Sequence, residues 1–425
     1  MCGEDLRVKT TSTAQLGEAV TSGKPRILFV DDEANILQGL RRSLHPMAQE
    51  WAMEFAQGSE AALAILAANP VDVIVTDMRM PGMDGAELLT KVRKAWPQVT
   101  RIILSAHSDQ ENVLRSINAA HQFLVKPCDP DLLRSIIARA FKLRDLVTRP
   151  SLRSLIAKLN HVPSVPELYA QINAALADKA SSVRDIGDIV ARDVGFSIKL
   201  LQIVNSAFFG LSRRLTSASE ATVLLGVDIV RSIVLSTKVF ASLQANAPAT
   251  GAITTLWHRG MRTGDCARIL ARKMGLVRRE VDAAFFAGLV HDVGYLLLRV
   301  NLPDECARCS VLASTEGITQ GEAEIRVFGV ANEGIAASLL GTWGLPDTIV
   351  EAIAYMHRPS ESLTQVPSPL TALHLAEVFD HVGDGSASGK LELDEAYLAR
   401  VGLTDVVAAW FEDLQTHIEA MQGVS

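Results

Sequence analysis

An α/β doubly wound domain followed by an all-α helical bundle is the architecture that this 425-residue sequence predicts. Three observations carry it. Short apolar runs rich in β-branched residues alternate with helical spacing through the first third of the chain, the pattern of a parallel sheet. From Leu152 onward strand signals nearly vanish, and amphipathic helical segments follow one another to the C-terminus. Between them, Val71–Thr76 reads as a buried strand ending in Asp77-Met78-Arg79-Met80-Pro81-Gly82-Met83-Asp84-Gly85. That sequence puts a carboxylate at the lip of a sheet, where open α/β folds place chemistry.

The elements follow in order. Residues 1–24, rich in Thr, Ser and Gly, read as a disordered leader. Arg26–Val30 is a short apolar strand that ends in Asp31-Asp32-Glu33. Ser59 reads as the N-cap of a helix with Ala62, Leu63 and Leu66 on one face, and Leu88, Leu89 and Val92 repeat that spacing after Gly85. Arg101–Leu104 delivers Ser105, and Gln122–Val125 delivers Lys126-Pro127. Asp131 reads as the cap of a helix bearing Leu132, Ile136, Ala140 and Leu143, which runs through Leu146 until Pro150 stops it. Asp31, Asp32 and Asp77 thus come from two strands to one edge, and oxygen-only ligands with room for water and phosphate suit Mg²⁺.

Residues 25–145 resemble the receiver domain of two-component response regulators, with five parallel strands in a flavodoxin-like sheet. The resemblance implies roles. Asp77 is the phosphoacceptor and nucleophile, taking a phosphoryl group from a sensor histidine kinase. Asp32 and Asp77 ligate Mg²⁺, Asp31 acts mostly through water, and the Arg79 backbone carbonyl completes the shell. Lys126 holds a phosphate oxygen as a point charge. Ser105 and Phe123 are the switch residues.

Composition sets limits. The net charge is −7 and the basic residues are dispersed, which argues against a nucleic-acid binder that needs a concentrated basic face. No secretory signal and no apolar stretch of membrane-span length stand out, so no membrane partner and a cytoplasmic location are expected. Five scattered cysteines fit a reducing compartment, with Cys306 and Cys309 read as helix packing.

The helical part carries His161-Val162-Pro163-Ser164-Val165-Pro166, then Ile198 to Gly210, Trp257-His258, Gly288-Leu289-Val290-His291-Asp292-Val293-Gly294, Trp343-Gly344-Leu345-Pro346 and His357-Arg358-Pro359. Together these resemble the HDOD domain, a helical relative of the HD metal-dependent phosphohydrolases, over roughly residues 150 to 385. The resemblance implies a signalling output domain. His258, His291 and Asp292 stand at ligand positions, and the closing Asp is replaced by Glu377. Asn332 and Met356 stand where imidazoles are usual, leaving His357, and Tyr295 replaces a Lys. An amide and a thioether are poor ligands for a hard or borderline cation. A single divalent metal on His258, His291, Asp292 and Glu377 stays open, against a plain buried hydrogen-bonded pair; a dinuclear catalytic centre does not fit.

The domain reading is therefore a leader at 1–24, a receiver at 25–145, a helical linker at 146–152, an HDOD domain at 153–385 and a helical extension at 386–425. Leu403, Val406, Val407 and Trp410 lie near helical spacing in that extension, which either caps the bundle or mediates homodimerisation. Phe208-Phe209 and Phe285-Phe286 read as core packing. Arg213-Arg214 and Arg278-Arg279 read as solvated loop charges. The expected function is a phosphorylation-controlled adaptor acting on a downstream protein partner. The alternatives are a receiver-gated phosphohydrolase of nucleotides or cyclic dinucleotides, and a nucleotide-sensing module without turnover.

Overall fold

The computed structural model describes residues 24–106, 116, 119–145, 147, 152, 155–156, 166–178, 180–206, 209, 211, 213–236, 247–383 and 393–422. The leader, the segment around His161 to Val165, Phe208 and most of the 146–152 linker lie outside them, as do the side chains of Leu143 and Leu146.

Five parallel strands, β1 (Arg26–Asp31), β2 (Ala52–Gln57), β3 (Val73–Asp77), β4 (Thr100–Ser105) and β5 (Gln122–Val125), are ordered β2-β1-β3-β4-β5. Ile27 aligns with Val73, and Asp77 with Leu104. Only β2 was not placed individually by its sequence, Ala-Met-Glu-Phe-Ala-Gln, because an edge strand half-exposed along its length has no apolar run to announce it. Among the described residues, helices α1 (Ala34–Ser43), α2 (Ser59–Ala68), α3 (Gly85–Ala95) and α4 (Pro130–Asp145) pack on this sheet. Leu28, Ile74, Ile103, Leu88 and Val92 form the core on one face of the sheet; Phe29, Val75, Ile102 and Ile137 form it on the other.

Two cap assignments are corrected. Gly58, at φ 84°, precedes α2, and the Ser59 hydroxyl instead donates to the Met83 carbonyl at 2.8 Å. Asp129 rather than Asp131 caps α4: its carboxylate accepts from the Asp131 amide at 2.9 Å. Asp84 caps α3 by accepting from the Glu87 amide at 2.8 Å.

The rest of the described chain is helical. It comprises α5 (Pro166–Ala177), α6 (Val183–Val190), α7 (Val194–Val204), α8 (Ala218–Leu225), α9 (Val227–Ser236), α10 (Ala247–Lys273), α11 (Arg278–Val290), α12 (Val293–Asn301), α13 (Pro303–Glu316), α14 (Gln320–Phe328), α15 (Asn332–Thr342), α16 (Asp347–Tyr355), α17 (Pro369–Gly383), α18 (Glu395–Arg400) and α19 (Val407–Gln422). One continuous core runs from Val147 to Leu414, so the C-terminal helices pack onto the bundle through Tyr397, Val407 and Leu414. The expectation about apolar length is corrected: Arg278–Asn301 is 24 residues long and apolar enough to span a bilayer. It is two helices joined at His291-Asp292, and 78% of its most apolar stretch is buried inside the bundle.

Glycines let α10 and α11 meet backbone to backbone. A Cβ on Gly260 would lie 2.5 Å from the Leu289 carbonyl oxygen, and one on Gly288 would lie 2.6 Å from the Gly264 Cα. Any larger residue would force the helices apart.

The sheet and the bundle share a polar junction along β5. The Gln122 side-chain amide donates to the Thr342 carbonyl at 3.1 Å, and the Gln202 amide donates to the His121 carbonyl at 2.8 Å. Arg139 on α4 donates to the Leu345 carbonyl at 2.6 Å and pairs with Asp347 at 2.9 Å. Beneath this junction the guanidinium of wholly buried Arg101 donates to the carbonyls of Ala119, Pro97 and Val99 and lies 2.7 Å from His121 Nε2. Desolvation, first, and this guanidinium hold His121 neutral, well below the usual imidazole range.

Candidate functional site

The first site lies at the C-terminal ends of β1, β3, β4 and β5. Strand geometry delivers Asp31, Asp77 and Ser105 there as the last residue of their strands, with Lys126 one position beyond β5. Lys126 Nζ sits 2.7 Å from Asp31 Oδ2 and 2.6 Å from Asp77 Oδ1, so one ammonium bridges two carboxylates. Asp31 and Asp77 are buried, and Asp32 is half-buried beside them. Burial pushes the Asp77 carboxyl up from its ordinary value against the opposing pull of Lys126. The two carboxylates raise the Lys126 ammonium against its own desolvation, so it stays charged.

The ligand oxygens of Asp31, Asp32 and Asp77 all lie within 4.8 Å of one another, the only such convergence among the described residues. Ser105 is wholly buried and its hydroxyl donates to the Ala106 carbonyl at 3.3 Å. Arg79 is exposed in the loop after β3, and Phe123 is buried in β5. α3 crowds this loop: a Cβ on Gly85 would lie 2.0 Å from the Asp77 carbonyl oxygen. The arrangement offers a nucleophilic carboxylate, an oxygen-rich cation site and a fixed ammonium within one pocket.

The second cluster lies in the bundle, where α10, α11 and α17 cross. His291 Nε2 lies 2.9 Å from Glu377 Oε1 and 3.3 Å from Asp292 Oδ2, and its Nδ1 lies 2.6 Å from the Gly288 carbonyl. His258 does not join them. It is exposed, with its ring edge-on to Trp257 at 4.6 Å between centroids. Arg259, the next residue, points inward instead. Its Nη1 lies 3.0 Å from Asp292, its Nη2 3.1 Å from Glu377 and its Nε 3.5 Å from Asp380. Arg262 also pairs with Asp380. His357 lies 3.7 Å from both Glu333 and Glu377.

Although desolvation opposes it, the surrounding carboxylates raise His291 to about 10 and His357 to about 9, so both are imidazolium at neutral pH. The cations in turn hold Glu377 well below the usual carboxylate range. Asn332, the amide at a usual imidazole position, donates through its backbone and side-chain nitrogens to Glu324 at 2.7 and 3.2 Å. Met356 is buried, and its carbonyl lies 2.7 Å from His374 Nδ1.

Arg259, Arg262, Asp380 and Glu333 were not singled out in the sequence. A signal was present: Arg259 and Arg262 share the three-residue spacing of Glu377 and Asp380, which matches two helix faces charge to charge. Arg214 was read as a solvated loop charge, and this is corrected. It donates to the Gly344 carbonyl at 2.9 Å beside a junction cleft of about 460 Å³ lined by Lys126, Gln202, Asn205 and Trp343. Cys306 and Cys309 are buried in α13, where burial pushes their thiols up to about 12 and about 11.

Residues 27–138 match the response regulator receiver domain and residues 162–359 the HDOD domain. The chain is similar to the hydrogenase transcriptional regulatory protein HoxA of Cupriavidus necator, 36% identical over 122 residues. That match covers 28% of this chain and 25% of HoxA, so the chain spans about a quarter of that relative's length. Among solved structures, it resembles the signal receiver domain of an HD domain-containing protein from Pseudomonas fluorescens (32% identity, 28% of this chain and 96% of that one, TM-score 0.27). It also resembles an HDOD domain protein from Geobacter sulfurreducens (19% identity, 68% and 97%, TM-score 0.38).

Proposed function

Because the chain joins a response regulator receiver domain to an HDOD domain, we propose that it is a two-component response regulator switched at Asp77. The observation that carries this is Lys126 Nζ held between Asp31 and Asp77, within 2.7 Å of both.

A sensor histidine kinase is the donor. A carboxylate oxygen of Asp77 attacks phosphorus, the P–N bond to the donor imidazole breaks, and its electron pair stays on that ring. Asp31, Asp32 and Asp77, with the Arg79 carbonyl, would hold Mg²⁺. Their oxygen-only donor set fits a hard cation. When bound, it offsets charge on the transferring group. Lys126 donates to a phosphate oxygen as a compact point charge, and Ser105 reaches another.

The output runs through β5. Phe123 lies in that strand, and the junction bonds made by His121 and Gln122 immediately precede it. Phosphate contacts with Ser105 and Lys126 differ between the two states, which is what a switch needs. The bundle, residues 153–385 with its C-terminal helices, then presents a changed surface to a downstream protein in the cytoplasm without chemistry of its own. The test is labelling with a small phosphodonor and Mg²⁺. Wild type takes up label and Asp77→Ala does not; equal labelling rejects the assignment.

A further inference from the structure

We propose that the guanidinium of Arg259 is a built-in cation, standing among the carboxylates where a divalent ion would otherwise sit, so that the helical domain holds its shape without metal. The geometry is a three-way fork. Each nitrogen of Arg259 faces a different carboxylate: Asp292 at 3.0 Å, Glu377 at 3.1 Å and Asp380 at 3.5 Å. These come from the α11–α12 corner and from α17, while Arg259 stands on α10. The cation therefore ties together the elements that meet there.

Burial makes cations necessary, and Arg259 reaches three of these carboxylates where His291 reaches two. Asp292, Glu377 and Asp380 are 8%, 1% and 6% exposed. Carboxylates this close and this dry repel one another strongly unless a cation stands among them. The tight α10–α11 contact at Gly260, Gly264 and Gly288 brings the Arg259 stem to the corner that carries Asp292.

A second observation points to a ligand position. His291 Nε2, Asp292 Oδ2 and Glu377 Oε1 are buried atoms with no well-formed hydrogen bond. They converge as charge contacts only. Once His291 gives up its proton, imidazole nitrogen and carboxylate oxygen are the donors that Mn²⁺ or Zn²⁺ prefers. His291 Nε2 already lies 2.9 Å from Glu377 and 3.3 Å from Asp292, and the guanidinium of Arg259 bridges those two carboxylates. Removing that one side chain leaves His291, Asp292, Glu377 and Asp380 free to close on a divalent ion.

The test uses the full chain in an Asp32→Asn, Asp77→Asn background, so that the receiver offers no cation site. Metal content after dialysis and thermal unfolding with EDTA, Mn²⁺ or Zn²⁺ are compared for Arg259, Arg259→Gln and Arg259→Lys. With Arg259 intact, the protein is expected to carry no stoichiometric metal and a Tm that none of these additions moves. Arg259→Gln is expected to lose several degrees and to regain at least half of them with Mn²⁺ or Zn²⁺. Arg259→Lys keeps the charge but reaches one carboxylate at a time; its Tm should fall between the other two and stay indifferent to metal. One equivalent of metal on the parent, an unchanged Tm in Arg259→Gln, or a loss that neither ion restores would overturn the proposal. If Arg259→Gln yields no folded protein, Arg259→Lys decides, and a Tm equal to the parent's refutes it.

Discussion

The side-chain amide of Gln202 crosses from the helical domain to the carbonyl of His121, 2.8 Å away, at the residue that leads into β5. The strand bearing Phe123 is thus bonded to the bundle at its entrance, and Gln122 repeats the contact one residue on. Each such bond is worth roughly 1 kcal/mol net. Gln202→Ala together with Arg139→Ala should loosen the junction by about 2–3 kcal/mol. Hydrogen exchange at residues 121–125 is expected to rise, and unchanged protection would show that the junction does not restrain β5.

Lys126→Ala removes the ammonium between two buried carboxylates. The Asp77 carboxyl, already raised by burial, rises further. Phosphoryl uptake with a small donor should fall at least tenfold, about 1.4 kcal/mol of lost charge stabilisation. A labelling rate within twofold of wild type would contradict the role.

Gly85→Ala tests the crowding of the acceptor loop. Its Cβ would meet the Asp77 carbonyl oxygen at 2.0 Å, backbone that cannot swing aside. A loss of about 1–3 kcal/mol is expected, as for overpacking, together with slower phosphorylation. A variant with wild-type Tm and labelling would mean that α3 has slack here.

Stability should fall in alkali through the bundle's histidines. His357 and His291 have folded values raised to about 9 and about 10 from an ordinary 6.5. A raised value means the native state binds the proton more tightly, so the gain is whole below pH 6.5 and is lost as pH climbs through 9 to 10. His357 alone should account for on the order of 2 kcal/mol. Tm measured from pH 6 to 10 should decline, and His357→Gln should flatten the curve between about pH 6.5 and 9.

The acceptor pocket was legible because its chemistry sits at strand ends. Asp31, Asp77, Ser105 and Lys126 each follow an apolar run, and parallel pairing carries every such end to the same edge. The all-α bundle was legible from helical spacing. The carboxylate cluster was only half legible: His291, Asp292 and Glu377 do meet, but His258 points outward and its neighbour Arg259 turns in. One step along a helix rotates a side chain by about 100°, and no local pattern says which of the two faces the core. Gln202 and Arg139 were invisible for another reason: what they do depends on how two domains meet, which neither domain's periodicity records.

The bare contact between Gly264 and Gly288 has a mechanical consequence. Two helices touching main chain to main chain have no layer of side chains on which to slide or roll. The α10–α11 pair should therefore act as a keel, and a push at Thr342 or Leu345 is expected to tilt the bundle whole. Superposing two signalling states on these helices would reveal the swing of the sheet as a single rotation.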